Sequence, residues 1–250
     1  MEEFKYIQTR TKNKNIFHII LKRPSHYNAL NKVLSEELIK ALRYADDCKT
    51  VKCIIVSGIN NFCVGADISE LYRDPHFIEI WEYIDEVKKP IIAAVSGLAL
   101  GGGLEILLMF DIILAAKNSK FGQPEINLGL IPGGGATQRL PRVIGKNRSM
   151  EICLTGDTIS AQEAKEMGII NQVCKEDDLM PLAENIAEKI ASKSMESIIT
   201  IKKLIKQSYD RKIEDGIKKE KLNFYKIIKG KNGVEGIAAF REKRKPQFYD

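Results

Sequence analysis

The sequence predicts an α/β fold built on parallel strands, and three observations carry that expectation. Short apolar runs recur at residues 16–21, 53–56, 91–95 and 111–116. Stretches with helical spacing separate them, and strands alternating with helices favour a parallel sheet. The second and third runs are apolar from end to end, as strands inside a covered sheet are.

Ile16 to Leu21 reads as a strand bounded by Asn-rich sequence and by Arg23-Pro24. Asn28 to Tyr44 has helical periodicity, with Leu30, Leu34, Leu38 and Leu42 at every fourth position. Cys53 to Val56 is a buried strand ending at Ser57-Gly58. Residues 70–89 read as helical, closed by Lys89-Pro90, because a residue before proline disfavours the α conformation. Ile91 to Val95 is a second buried strand, and Gly101-Gly102-Gly103 opens an apolar helical stretch from Leu104 to Phe110. Asp111 to Ala116 is again a strand, and Gly133 to Gly135 precede a short helix, Ala136 to Leu140. From Ala161 the pattern is mainly helical, and Ser160 with Glu163 forms a capping box at its start. The last stretch is long, Lys-rich and amphipathic, which divides the chain into a core, 1–190, and a helical region, 191–250.

With 44% hydrophobic and 29% charged residues over 250 positions, the chain buries a substantial core without staples. No apolar run reaches the length of a membrane span. The start, Met-Glu-Glu-Phe-Lys, lacks the basic and apolar regions of a secretory signal, and Glu2 and Glu3 argue against a transit peptide. The five cysteines, Cys48, Cys53, Cys63, Cys153 and Cys174, are odd in number and have no CxxC spacing. They read as reduced and mostly buried thiols of a cytoplasmic protein. Only His18, His26 and His76 occur, and none lies in a ligand cluster, so no metal site and no His-based triad is expected. The net charge of +6 belongs to the end of the chain: residues 201–250 hold 15 Lys and Arg against 7 Asp and Glu. That excess suits a solvated helical face or a phosphate-bearing ligand. Without an RNA-binding aromatic motif or a Cys/His finger, nucleic acid is not an expected partner.

The glycine clusters fit neither a dinucleotide fingerprint nor a P-loop; Leu140 stands where a P-loop ending at Gly145-Lys146 needs glycine. Consecutive glycines at a helix start still expose backbone N–H groups with the helix dipole behind them, a place for a developing oxyanion. Two carboxylates stand out in apolar company. Glu105 follows the Gly101–Gly103 run, and Glu125 sits in Gly122-Gln-Pro-Glu-Ile-Asn-Leu. A buried charge is costly unless paired or neutralised. If both converge on one apolar pocket, at least one pKa rises, and the pair supplies a general base and a general acid together. Adding water across a double bond needs both roles. Twenty residues exceed one helix face, so convergence must be tertiary.

These residues lie in segments that together resemble the enoyl-CoA hydratase (crotonase) family. The segments are Arg23-Pro-Ser-His-Tyr-Asn-Ala-Leu-Asn31, Phe62-Cys-Val-Gly-Ala-Asp-Ile68, Lys89 to Glu105, Phe121 to Leu140, Leu154-Thr-Gly-Asp157, Ala161 to Gly168 and Phe240 to Lys245. They follow the family order over nearly the whole chain. The resemblance implies a crotonase-like spiral of ββα units, a helical C-terminal trimerisation region, and a homotrimer or homohexamer acting on acyl-CoA thioesters. It implies that the backbone N–H groups of Val64 and Gly102 hold the thioester oxyanion; Val64 stands where alanine is commoner, which narrows the adjacent pocket. It implies that Glu105 mainly activates water and Glu125 exchanges the proton at Cα. Ala66, Asp67, Ile68 and Lys243 are implied along the CoA path, with Phe240 and Phe248 near the adenine. The implied reaction is syn hydration of a trans-2-enoyl-CoA, or its reverse, with no metal or redox cofactor. The stretch 69–87, shorter than in many members, points to a short acyl chain, with Trp81 either a pocket wall or core packing. Two other readings remain: a Δ3,Δ2-enoyl-CoA isomerase using Glu125 alone, and a crotonase-fold RNA-binding or scaffolding protein.

Overall fold

The structure, a computed structural model, describes residues 4–249. Glu2 and Glu3, on which the reading of the N-terminus rests, lie outside the described residues. Nine strands form two sheets among the described residues. The larger contains β1 (Ile7–Lys12), β2 (Ile16–Leu21), β3 (Cys53–Gly58), β4 (Ile91–Val95), β6 (Ile112–Ala116) and β9 (Gln172–Cys174), in that spatial order. Only the β1–β2 hairpin is antiparallel; the other four pairings are parallel, with Ile16 opposite Cys53, Ile54 opposite Ile91 and Ile92 opposite Ile112. The smaller sheet contains β5 (Leu98–Leu100), β7 (Lys120–Gly122) and β8 (Thr158–Ser160).

The two sheets are laid down together by successive turns of a spiral. Strand β4 feeds the large sheet and β5, three residues on, the small one; β6 and β7 repeat the step. The preceding turn leaves only a bridge, Cys63 to Ala99, in place of a small-sheet strand. Each turn then returns through helical chain, which places every turn's second bend on the same side of the molecule.

Side-chain alternation divides the large sheet's faces. Ile16, Cys53, Ile55, Ile92, Ala94 and Leu114 pack against Leu179, Ala183 and Ala187 of α8 (Glu176–Ala191). Phe17, Ile19, Ile54, Val56, Ala93 and Ala115 face the main core, where Leu34, Leu38 and Leu42 of α1 (Lys32–Asp47) meet them. Both faces are therefore covered, which explains the apolar strand runs.

The helix expected from Asn28 starts later, at Lys32, with the Asn31 side chain capping the Leu34 N–H at 2.9 Å. Asn28 is instead buried in a left-handed turn (φ 57°) and serves as a hub: its Oδ1 accepts from the Arg23 N–H at 2.7 Å, and its Nδ2 donates to the Asn61 carbonyl at 2.6 Å. Leu30 continues the leucine spacing but bridges to Ala66. The helix expected over 70–89 is three pieces: α2 (Ile68–Arg73), a 3-10 segment Pro75–Glu82, and α3 (Tyr83–Glu86). Pro75 ends the first by removing an amide donor and constraining Asp74. Of the cysteines, Cys53 and Cys63 are buried; the other three are half-buried, and all five are free. Beyond Ser192–Ser194 the chain forms α9 (Met195–Gln207), α10 (Ile213–Ile228) and α11 (Lys231–Arg241). Among the described residues no helix is long and apolar enough to cross a membrane.

Candidate active site

Helix α4 (Gly102–Leu107) begins where β5 leaves the small sheet. Gly103 is required there for packing: a Cβ on it would lie 2.2 Å from the Cys63 carbonyl oxygen. Its absence lets the Cys63–Gly65 segment lie directly on the helix start, and a Cβ built on Gly65 would sit 3.1 Å from the Gly102 nitrogen. As the first residue of the helix, Gly102 has no intrahelical acceptor for its N–H, and Val64 donates its N–H to no other group among the described residues. Two free amide donors thus border one cavity, of about 560 Å³, which both residues line.

Glu105 sits in the first turn of the same helix and is 2% exposed. Its Oε1 accepts the N–H groups of Gly134 at 2.7 Å and Ala136 at 3.0 Å. Ala136 opens α5 (Ala136–Ile144), so the positive end of that helix also faces the carboxylate. Burial pushes the Glu105 pKa up, the two amides pull it back, and the balance stays above the ordinary carboxylate value.

Glu125 projects from a 3-10 segment, Pro124–Leu128, that follows β7. Burial, opposed by its own backbone N–H and reinforced by the Glu105 charge, pushes its pKa up to about 7. Gln123, fully buried, packs its carboxamide against this carboxylate; with its nitrogen turned inward it donates to Oε1 at 2.9 Å and Oε2 at 3.0 Å, which opposes the rise. The glycine run meets Glu125 as well: a Cβ on Gly101 would lie 2.9 Å from its Oε1. Two helix starts and a 3-10 turn, far apart in sequence, therefore aim two carboxyls with raised pKa values into one cavity beside two unpaired amide donors. Such a site can withdraw a proton, supply another and hold an oxyanion at the same time.

A family model described as enoyl-CoA hydratase/isomerase matches residues 11–250. The chain belongs to the enoyl-CoA hydratase/isomerase family. It is 41% identical to the mitochondrial enoyl-CoA hydratase of Pongo abelii, over 99% of this chain and 89% of that protein. Among solved structures it is similar to enoyl-CoA hydratase subunit I of Geobacillus kaustophilus (TM-score 0.94, 37% identity, 99% of both chains). It is also similar to the enoyl-CoA hydratase of Bacillus anthracis (TM-score 0.93, 35% identity, 98% of this chain and 99% of that one). The spiral α/β fold and the hydratase class expected from the sequence are borne out by these likenesses.

Of the ten residues that the family resemblance places at the oxyanion, the acid and base or the CoA, seven line the cavity: Val64, Ala66, Asp67, Ile68, Gly102, Glu105 and Glu125. Lys243, Phe240 and Phe248 do not line it; Lys243 is exposed beyond the end of α11. Asp67 lines the cavity but its carboxylate is already engaged. It binds the Arg23 guanidinium at 2.8 Å and caps α2 through the Ser69 N–H at 3.1 Å. Burial alone would raise its pKa, and Arg23 outweighs burial and holds it below the usual carboxylate range. Asp67 thus shapes the cavity wall rather than offering a free charge to a ligand.

Two more groups stand at this cavity that the sequence alone leaves out or undecided. The sequence does not single out Gln123, although its place two residues before Glu125 is a usable signal. Trp81 turns out to fill both of its expected roles. It is 1% exposed, donates from Nε1 to the Ser35 hydroxyl at 3.0 Å and stacks edge-on with Phe77, as a core residue does. Its six-membered ring also closes the cavity against the backbones of Gly102 and Gly134.

Proposed function

We propose that the cavity hydrates a trans-2-enoyl-CoA by syn addition, or runs the reverse dehydration, with Glu105 as the base and Glu125 as the acid. The observation that carries this reading is the unequal setting of the two carboxyls. Glu105 receives two backbone N–H bonds on one oxygen, which favours its ionised form; Glu125 is pushed up to about 7 and so offers a proton near neutrality.

In the forward direction the Val64 and Gly102 N–H groups bind the thioester oxygen and make the β-carbon electrophilic. Glu105 takes a proton from water as the water oxygen bonds to Cβ. The electron pair of the double bond shifts toward the thioester, giving an enolate whose charge the two amides hold. Glu125 then delivers its proton to Cα. The substrate gains one OH and one H on the face that the two carboxyls share; once the proton left on Glu105 passes back to Glu125 by exchange with water, the sum of steps consumes only water. No redox or metal cofactor is required by that balance. Each amide donor contributes about a hundredfold or more, and the acid and base contribute about 10²–10⁴ each.

Trp81, a buried wall of the cavity held by the Ser35 hydroxyl, supports a short acyl chain. Apolar side chains exposed on the last helices, among them Ile213 (72%), Leu222 (68%) and Phe240 (85%), support assembly into a homotrimer or homohexamer through residues 191–250. In such an assembly Lys243 is available to CoA phosphates at a neighbouring copy's cleft. Five free cysteines support a reducing, cytoplasmic setting.

The test is the loss of enoyl-thioester ultraviolet absorbance when the purified protein meets crotonyl-CoA. Rapid loss in the parent, with collapse in Glu105→Gln and Glu125→Gln, is the expected result. No loss with crotonyl-CoA would overturn the short-chain hydratase reading, and isomerisation of a 3-enoyl-CoA retained in Glu105→Gln would favour the isomerase instead.

A further inference from the structure

The two amides that hold Glu105 belong to a turn that is itself held from outside the cavity. Arg139 of α5 folds back and donates from Nη1 to the Gly134 carbonyl at 3.1 Å. The guanidinium lies so close to the turn that a Cβ on Gly135 would meet Nη1 at 1.9 Å, and Gly135 has φ of 108°, a conformation that glycine alone adopts easily. On the other side of the turn a Cβ on Gly134 would lie 2.7 Å from Glu105 Oε2. The turn is thus clasped between a guanidinium and a carboxylate with no room for any side chain of its own.

Arg139 is anchored in turn. Its Nη2 pairs with Asp85 Oδ2 of α3, and Lys206 of α9 donates to Asp85 at its carbonyl (3.0 Å) and at Oδ1 (3.2 Å). An unbroken series of contacts therefore runs from the C-terminal helices to the carboxylate: Lys206, Asp85, Arg139, Gly134, Glu105.

We propose that Arg139 is a positioning residue for Glu105: it pins the Gly134–Gly135 turn whose amides orient the carboxylate, and Asp85 with Lys206 of α9 pins Arg139. The assignment rests on Glu105 being the base of the proposed hydration. Three charged or titratable groups face Glu105: Arg139 from α5, Glu125 from the 3-10 segment, and the Cys153 thiol of α6 (Lys146–Thr155), whose pKa burial and then the charges of both glutamates raise. Arg139 is the one cation among them, and its charge favours ionised Glu105. Its removal raises the pH at which the base becomes active.

The experiment compares the full-length parent with Arg139→Ala, Arg139→Lys, Lys206→Met and Glu105→Gln on crotonyl-CoA, reading kcat, KM and the acid limb of the kcat–pH profile. Arg139→Ala is expected to lower kcat about ten- to a hundredfold with KM within about threefold, and to move the acid limb to higher pH. Arg139→Lys restores the charge but not the fork of donors and is expected to recover part of both effects. Lys206→Met, half-buried and outside the cavity, is checked for native folding and is expected to show a smaller shift in the same direction. Adding Arg139→Ala to Glu105→Gln is expected to cost nothing further. An unmoved acid limb in Arg139→Ala and Lys206→Met, with Glu105→Gln inactive, overturns the positioning role alone. Parental activity in Glu105→Gln overturns the base assignment and the proposal with it.

Discussion

Replacing Glu125 with Gln should make the protein more stable above neutral pH and leave it unchanged in acid. The carboxyl has a folded pKa of about 7 against an ordinary value of 4.5, mainly because burial penalises its charge. A raised folded pKa favours the native state fully below the unfolded value, and that advantage is lost as pH rises from 4.5 through about 7. Two and a half units correspond to about 3 kcal/mol. The Gln123 amide opposes the shift and the half-buried carboxyl keeps some water, so about 1–2 kcal/mol is expected. Gln is isosteric with the neutral acid, and Gln123 can turn its oxygen toward the new amide. Urea unfolding of parent and variant at one protein concentration therefore gives coincident midpoints at pH 4, and the variant leads above pH 7.5. A stability difference independent of pH, or a variant less stable than the parent at pH 8, would show that Glu125 is not held in a setting hostile to its charge.

Other consequences follow from single contacts. His18 on β2 faces α8 with both ring nitrogens lacking a hydrogen bond among the described residues, and burial pushes its pKa down to about 4. The parent should lose stability as pH falls from 6.5 toward 4, and His18→Leu should abolish that loss and stabilise by about 1 kcal/mol at pH 7, read by thermal unfolding. Trp81→Ala should cost about 3–5 kcal/mol and raise kcat/KM for longer enoyl-CoAs relative to crotonyl-CoA. Gly134→Ala forces a methyl group against Glu105 and should lower kcat about a hundredfold with the fold retained by circular dichroism.

The central strands and the glutamates were legible because their signals are local. The strands β2, β3 and β4 are apolar runs with clear stops, and each glutamate is a charge in apolar surroundings. What was hidden depends on tertiary pairing. The strands β5, β7 and β8 have three residues each, too few for any periodicity, yet they form the sheet from which the glycine run and Glu125 emerge. Leu30 kept the helical spacing going past the true start of α1, because a strand bridge and a helix face both accept a leucine. Asp67 reads as a ligand group in sequence, but Arg23, 44 positions away, neutralises it. Lys206, Asp85 and Arg139 come from three helices, and nothing in their separate sequence neighbourhoods connects them. The convergence of Glu105 and Glu125 needed the family resemblance to be foreseen and the spiral to be explained: successive turns bring equivalent bends to one side.

The most direct test of the account is whether the two glutamates act as one unit in the same hydration. The measurement is the crotonyl-CoA hydration rate of Glu105→Gln, Glu125→Gln and the double variant, each checked for native folding. Base and acid working together predict that each single variant loses most of the rate and that the double variant is scarcely slower than the worse single one. Losses that multiply in the double variant, or one single variant close to the parental rate, would contradict a base and an acid that depend on each other.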